Sequence, residues 1–352
     1  MQKSRPQQGR KRWSHFVATA LFLAVSVAAL AQKALTLTGD APGTHDPSIM
    51  KEGSTWYVFA TGKAPGGGQF EVRCSTDLHQ WKACGQVFDA IPAWIHQSSP
   101  GTKELWAPDI SFVNGEYRLY YAYSLFGKNT SGIALATNKT LDSSGPNYRW
   151  VDQGLVLESK VGDNFNAIDP NFVRDEKGHD WLSFGSFWDG IKMRRLDDRT
   201  GKLSASDSKL YSLARRAKPA DAAPAPPNLP PNWEAVEAPF IVHHNHFYYL
   251  FTSWNLCCRG TKSTYKTMVG RAISATGPYA DKAGKLLTEG GGTELLIANA
   301  RWLGPGGESI LMDSRGEDLI VFHAYDAKTG KPSMQLSTID WTGDWPHAQL
   351  SQ

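Results

Sequence analysis

The chain has 352 residues, with 37 Lys and Arg against 34 Asp and Glu, a formal charge of +3. Five of the basic residues (Lys3, Arg5, Arg10, Lys11 and Arg12) and none of the acids lie in residues 1–31, so without that segment the balance is 32 to 34, or −2. That excludes a basic nucleic-acid-binding surface and leaves a near-neutral protein suited to a neutral polymer. The 13 Trp and 12 Tyr point the same way, because flat rings stack on sugar faces, although most of them belong to packing.

The positive start is followed by Phe16 to Leu30, a 15-residue apolar run without charge, and by the small-x-small pattern Ala29-Leu30-Ala31. This reads as a secretory signal peptide over residues 1–31, cut before Gln32, with 32–352 as one mature domain. The run falls short of the ~20 apolar residues of a comfortable span, and an uncleaved anchor is the alternative. The expected destination is secreted or periplasmic, with no membrane attachment after cleavage.

Five copies of one segment follow. Asp46-Pro47-Ser48-Ile49, Asp169-Pro170-Asn171-Phe172 and Glu237-Ala238-Pro239-Phe240 each begin with an acid. Ala107-Pro108-Asp109-Ile110 and Gly307-Glu308-Ser309-Ile310 keep the frame without one. Each copy continues into an apolar strand, a polar turn and an aromatic-rich strand, such as Trp56-Tyr57-Val58-Phe59 and Phe247-Tyr248-Tyr249-Leu250-Phe251. The first positions, 46, 107, 169, 237 and 307, are 61, 62, 68 and 70 residues apart. Each unit has room for four short strands, the size of one propeller blade, and no helical periodicity competes. The fold class predicted is all-β, a five-bladed β-propeller, with 33 Gly and 20 Pro supplying turns such as Asn114-Gly115. A β-sandwich is the alternative, but gives no reason for a five-fold frame.

Cys74 and Cys84 flank a candidate hairpin that permits a cross-strand bridge, whereas a bridge between adjacent Cys257 and Cys258 would close a strained eight-membered ring. No Cys-x-x-Cys or nearby His pattern marks the four cysteines as a metal site. Lys218 to Pro231, rich in Ala and Pro, reads as a stiff surface loop.

Equivalent points of a circular array converge on one axis, so Asp46, Asp169 and Glu237 are expected in one pocket. A protonated and an ionised carboxyl facing each other can cut a glycosidic bond, and a third acid holds a proton on its neighbour by like-charge repulsion. Each Asp-Pro could alone be a turn cap, but three in register argue for chemistry.

At this point the residues resemble glycoside hydrolase family 43, and within it the endo-acting arabinanases. The resemblance runs through Thr44-His45-Asp46-Pro47-Ser48, Ser75-Thr76-Asp77-Leu78 with Trp81, Leu105-Trp106-Ala107-Pro108-Asp109-Ile110 and Phe126-Gly127-Lys128-Asn129-Thr130-Ser131. It continues in Asn166-Ala167-Ile168-Asp169-Pro170, Ser183-Phe184-Gly185-Ser186-Phe187-Trp188, Glu237-Ala238-Pro239-Phe240, Ser253-Trp254-Asn255-Leu256-Cys257-Cys258-Arg259 and Thr276-Gly277-Pro278-Tyr279. It implies an inverting hydrolase of internal α-1,5-L-arabinofuranosidic bonds. Asp46 is the implied general base, Glu237 the general acid and Asp169 the residue that tunes and orients Glu237. Trp106, Phe126, Gly127, Asn166, Ala167, Ile168, Ser186, Phe187 and Trp188, with Asp46 and Asp169, are the implied sugar contacts. An exo-acting arabinofuranosidase or xylosidase, and a sugar-binding propeller without catalysis, are the alternatives. No cofactor is needed for the chemistry, and a monomer acting on arabinan is expected. Relatives often carry Gly-His-Asn-Ser in the fifth copy, with the histidine holding an axial ion, usually taken as calcium, through water. Here Gly307 stands in its place, so calcium should bind weakly or not at all. His323 is the other candidate ligand, better suited to a hydrogen bond in the core.

Overall fold

The computed structural model describes residues 1–2, 33–222, 230–313 and 317–352. All but the first two residues of the expected signal peptide, with its cleavage point, lie outside the described residues, as do residues 223–229 of the Ala/Pro-rich loop.

The second strand of each repeat is apolar at consecutive positions because both of its faces are covered. In Glu116–Tyr123, Leu119 and Tyr121 pack toward the preceding unit while Tyr120 packs toward the next. In Phe247–Trp254, Tyr248 and Leu250 face one neighbour and Tyr249 and Phe251 the other. Side chains alternate across a strand, so a sheet between two other sheets needs an apolar residue at every position. Five buried clusters result, one at each junction between neighbouring sheets.

Five antiparallel meanders surround an axis, four of them four-stranded and the last three-stranded, with one parallel edge strand added to the first: the five-bladed all-β propeller expected. Their innermost strands are Ser48–Glu52, Trp106–Val113, Asn171–Arg174, Val236–His244 and Trp302–Leu311. The Asn114-Gly115 turn of blade 2 has positive φ at both residues (54° and 77°), the backbone hand that matches strand twist. Ala93–Ser98 is a short α-helix outside the blades.

Blade 5 has three strands of its own, Trp302–Leu311, Leu319–Asp326 and Pro332–Thr338. The chain just after the predicted cleavage point completes it: Ala34 and Pro42 bridge to Ser337 and Ser333, and Leu35 N–H donates to Leu336 O at 2.8 Å. Thr38–Gly39 then runs parallel to Gln80–Phe88 on the outer edge of blade 1. One segment thus ties the first blade to the last and closes the ring.

The cysteines reverse the expectation. Cys257 and Cys258 are bonded to each other, while Cys74 and Cys84 are free thiols.

Candidate active site

Asp46, Ala107, Asp169, Ala238 and Gly307 all have φ between 42° and 59°, and all line one axial cavity. They are the true equivalent positions. The fourth copy is therefore offset by one residue from the frame read in the sequence: Ala238, not Glu237, is in register, and the steps become 61, 62, 69 and 69. The strand pairing agrees, because irregularities separate Trp106 from Asp109, Glu237 from Phe240 and Gly306 from Ser309. Glu237 thus shares the preceding position with His45, Trp106, Ile168 and Gly306. Pro-Pro-like spacing in blade 4 concealed the offset, since Glu-Ala-Pro and Asp-Pro both end in Pro before the apolar strand.

Two positions beyond each frame residue, side chains stitch one blade to the next. Ile110 N–H donates to Ser48 Oγ at 3.0 Å, Phe172 N–H to Asp109 Oδ2 at 2.7 Å and Ile241 N–H to Asn171 Oδ1 at 2.9 Å. Ile49 N–H donates to Ser309 Oγ at 3.0 Å, joining blades 1 and 5. Phe240 cannot accept such a bond. At that junction Gly307 N–H donates to Ser253 Oγ at 2.8 Å, and Ser253 donates to Glu308 Oε2 at 2.9 Å. The ring fixes the frame residues, and hence the acids, to the rigid inner strands.

Asp46 receives Thr61 Oγ1–H on Oδ2 at 2.7 Å, and His45 Nδ1 lies 2.9 Å from the same oxygen. Ala107 N–H donates to Thr61 Oγ1 at 2.7 Å, so blade 2 orients the donor that serves the acid of blade 1. Burial alone would raise the Asp46 pKa, but His45, His323 and Thr61 together hold it well below the usual carboxylate range. Glu237 is buried, with Oε2 accepting from Ser186 Oγ at 2.5 Å. Burial pushes its pKa up to about 7, against the pull of the Ser186 bond and with the help of Asp46. Asp169 accepts from Ala238 N–H at 3.1 Å, and burial, then the charges of Glu237 and Asp46, raise its pKa well above the ordinary value. At neutral pH the site combines an ionised Asp46 with carboxyls that retain a proton.

Among the implied sugar contacts, Ser186 is bonded to Glu237 and bridges it in the backbone, and Phe187 N–H donates to Val236 O. Phe187 and Trp188 are half-buried with positive φ, and Trp106 is half-buried one residue before the frame. Phe126 and Gly127 lie on a loop that Asn129 pins to the backbone of Lys160, Asp163 and Phe165, just before Asn166. Phe126 is 82% exposed. Ile168 and Asn166 are buried, and Asn166 Oδ1 has no protein partner. Ala167 is packed fully into the core between blades 2 and 3, so its role is to hold this segment in place.

Sequence reasoning gave no role to several groups found here. His45 was visible only as part of a motif. Asp109 and Glu308 are buried carboxyls at the axis, each raised to about 7 by burial. Glu308 turns toward Ser253 and Thr267, away from the side of Gly307 as strand alternation requires, yet still lines the axial cavity. The cysteines do have a histidine nearby: Cys258 Sγ lies 3.7 Å from His45 Nε2.

The residues here do not fit the axial calcium ion that the resemblance raised. A Cβ on Gly307 would stand 2.7 Å from Asp46 Oδ1 and 2.8 Å from His323, so that space is already filled. His323 Nδ1 accepts the Asp46 N–H at 3.2 Å, and the ring is fully buried and stacked on His45 at 3.8 Å. Burial, then His45, keep it neutral. His45, Asp46 and His323 are close enough to share an ion, but two imidazoles and one carboxylate are not the oxygen cage that calcium takes.

Residues 41–346 match the family described as Glycosyl hydrolases family 43. The chain is 40% identical over 339 residues to extracellular endo-α-(1→5)-L-arabinanase 1 of Bacillus subtilis, covering 96% of this chain and 97% of that protein. It is 39% identical over 343 residues to extracellular exo-α-(1→5)-L-arabinofuranosidase ArbA of Cellvibrio japonicus, covering 96% and 93%. A family 43 endo-arabinanase structure from Bacillus licheniformis superposes with a TM-score of 0.77 at 44% identity, covering 89% of this chain and 99% of that one. The chain belongs to glycosyl hydrolase family 43.

Proposed function

We propose that this glycoside hydrolase cleaves internal α-1,5-L-arabinofuranosidic bonds of arabinan with inversion. The observation that carries the mechanism is the opposed protonation of two acids around one site: Asp46 ionised, Glu237 carrying a proton to about pH 7. Asp46 takes a proton from a water as its oxygen bonds to the anomeric carbon. The bond from that carbon to the leaving oxygen breaks on the opposite face, and Glu237 gives its proton to that oxygen. Exchange with solvent then restores both groups, and no covalent intermediate forms. Asp169 steadies the backbone at Ala238 and so orients Glu237, whose charge in turn keeps a proton on Asp169. Trp106, Phe126 and Trp188 offer rings to a neutral sugar chain. The protein acts as a monomer and, like relatives named extracellular, is exported, its leader ending before Gln32.

The exo-acting relative of nearly equal identity favours a second reading, successive release of short products from a chain end. The product-length profile of linear arabinan at early times tests both. A broad ladder of intermediate lengths is the expected result, and a single short product from the first minutes would replace the endo reading with the exo one. Asp46→Asn run beside it should yield no products on the same time scale.

A further inference from the structure

The Cys257–Cys258 disulfide takes no part in the chemistry above, yet three consecutive contacts join it to Asp46. Cys258 N–H donates to Tyr325 Oη at 2.9 Å. Tyr325 Oη lies 2.8 Å from His45 Nε2, and His45 Nδ1 lies 2.9 Å from Asp46 Oδ2. Tyr325 Oη accepts from Cys258 and is the only neighbour given to Nε2 besides the Cys258 sulfur, so it sets the angle of the His45 ring. In the neutral Nδ1-protonated form and in the charged form, which Asp46 favours, the Nδ1 proton points at the carboxylate. We infer that the disulfide positions the general base, with Tyr325 and His45 as positioning residues, so that a thiol reductant lowers turnover. The inference rests on the role given to Asp46 above.

The loop is built so that the bond matters. It leaves strand Phe247–Trp254 and returns in Lys266–Ala272, closed at its base by Leu256 and Thr264: Thr264 N–H donates to Leu256 O at 2.8 Å and Leu256 N–H to Thr264 Oγ1 at 3.2 Å. Cys258 sits at φ 63°, a conformation that a residue with a side chain rarely holds unaided. The link between neighbouring sulfurs holds it there and aims its N–H at Tyr325. Tyr325 is buried, so its hydroxyl has little freedom to follow if that N–H turns away, whereas Cys258 is exposed to a reagent in solution.

Reduction breaks the S–S bond. Two electrons and two protons pass from a dithiol to the pair, giving two thiols, and the dithiol closes to its own disulfide. Cys258 is then free to leave its left-handed conformation, and Tyr325 Oη loses the N–H that fixes its hydroxyl against His45.

The test treats the mature enzyme with dithiothreitol under a chelator, which keeps His45 and the freed thiols from capturing a soft metal. Free thiols are counted, and kcat, KM and melting temperature on linear arabinan are followed. Gain of two thiols should lower kcat about ten- to a hundred-fold, the scale of a misplaced catalytic group, with KM and melting temperature held and kcat restored on reoxidation. Tyr325→Phe should show a comparable loss and no further response to reductant, while Cys84→Ser should respond as the wild type does. Unchanged kcat after gain of the two thiols overturns the inference. So does a loss confined to KM or to melting temperature, or a Tyr325→Phe enzyme that still responds fully. Asp46→Asn separates the two levels: if it keeps turnover, the base assignment itself fails. If it is inactive and reduction leaves kcat untouched, only the positioning role falls.

Discussion

His45 lies against Asp46 with Nδ1 2.9 Å from its carboxylate, and the equivalent of His45 in blade 4 is Glu237. The proposed base and acid therefore come from adjacent positions of the repeat, one with its Cα in the left-handed frame position and one just before it. Their environments differ accordingly. Asp46 has a hydroxyl and an imidazole on one oxygen, while Glu237 has a single hydroxyl in a desolvated wall.

Asp46→Asn and Glu237→Gln should each reduce kcat by about 10²–10⁴-fold or more while the protein folds as before. Both substitutions keep shape and remove proton transfer. Rates on linear arabinan with circular dichroism as the fold control decide it, and wild-type turnover in either variant removes that residue from the mechanism.

The pH profile should have its basic limb near neutrality. The acid must be protonated, and Glu237 loses its proton as pH rises through about 7. The acidic limb should be displaced to low pH, because Asp46 is held ionised well below the usual range. Ser186→Ala removes a bond that stabilises the charged form of Glu237, so the basic limb should move upward. Asp169 keeps its own proton while Glu237 titrates, so Asp169→Asn should leave the basic limb close to its wild-type place. A kcat/KM profile for each variant checks the shift and its absence separately.

Much of this was legible in the sequence. Repeat spacing and runs such as Tyr117 to Tyr121 carry the propeller, because a sheet covered on both faces leaves a local signature. The acids were legible as residues, but the register of Glu237 was not. One added residue in an inner strand is absorbed as an irregularity that only pairing with Phe247–Trp254 exposes. Groups that act across blades left no local trace. Ser253 and Tyr325 lie on second strands and Thr61 just beyond one, and they meet the site only because the ring closes. The bond between Cys257 and Cys258 left no local trace either, because the loop that holds Cys258 left-handed is set by contacts distant in sequence.

Asp109 should make stability fall as pH rises. Its folded pKa, about 7 through burial, lies above the ordinary 3.8. A raised folded pKa means that its contribution is complete below the unfolded value and is lost as pH rises from about 4 through 7. Asp109→Asn keeps an acceptor for Phe172 N–H and removes the titration, so its melting temperature should vary less between pH 5 and 8 than the wild type's. Parallel curves would mean that Asp109 is already ionised in the folded protein.

Treatment with a chelator should leave activity and melting temperature close to their starting values, and added calcium should change neither. Gly307 offers no ligand, and the place a side chain would occupy there is taken by Asp46 and His323. Gly307→His does not restore a metal site on this view. Its Cβ would stand within 3 Å of both neighbours, at a φ of 59° that favours glycine, so Asp46 must shift before any ion could bind. That variant should lose both kcat and melting temperature, and calcium should rescue neither. A large loss on chelation of the wild type, reversed by calcium, would show that the axial carboxyls hold an ion without the histidine.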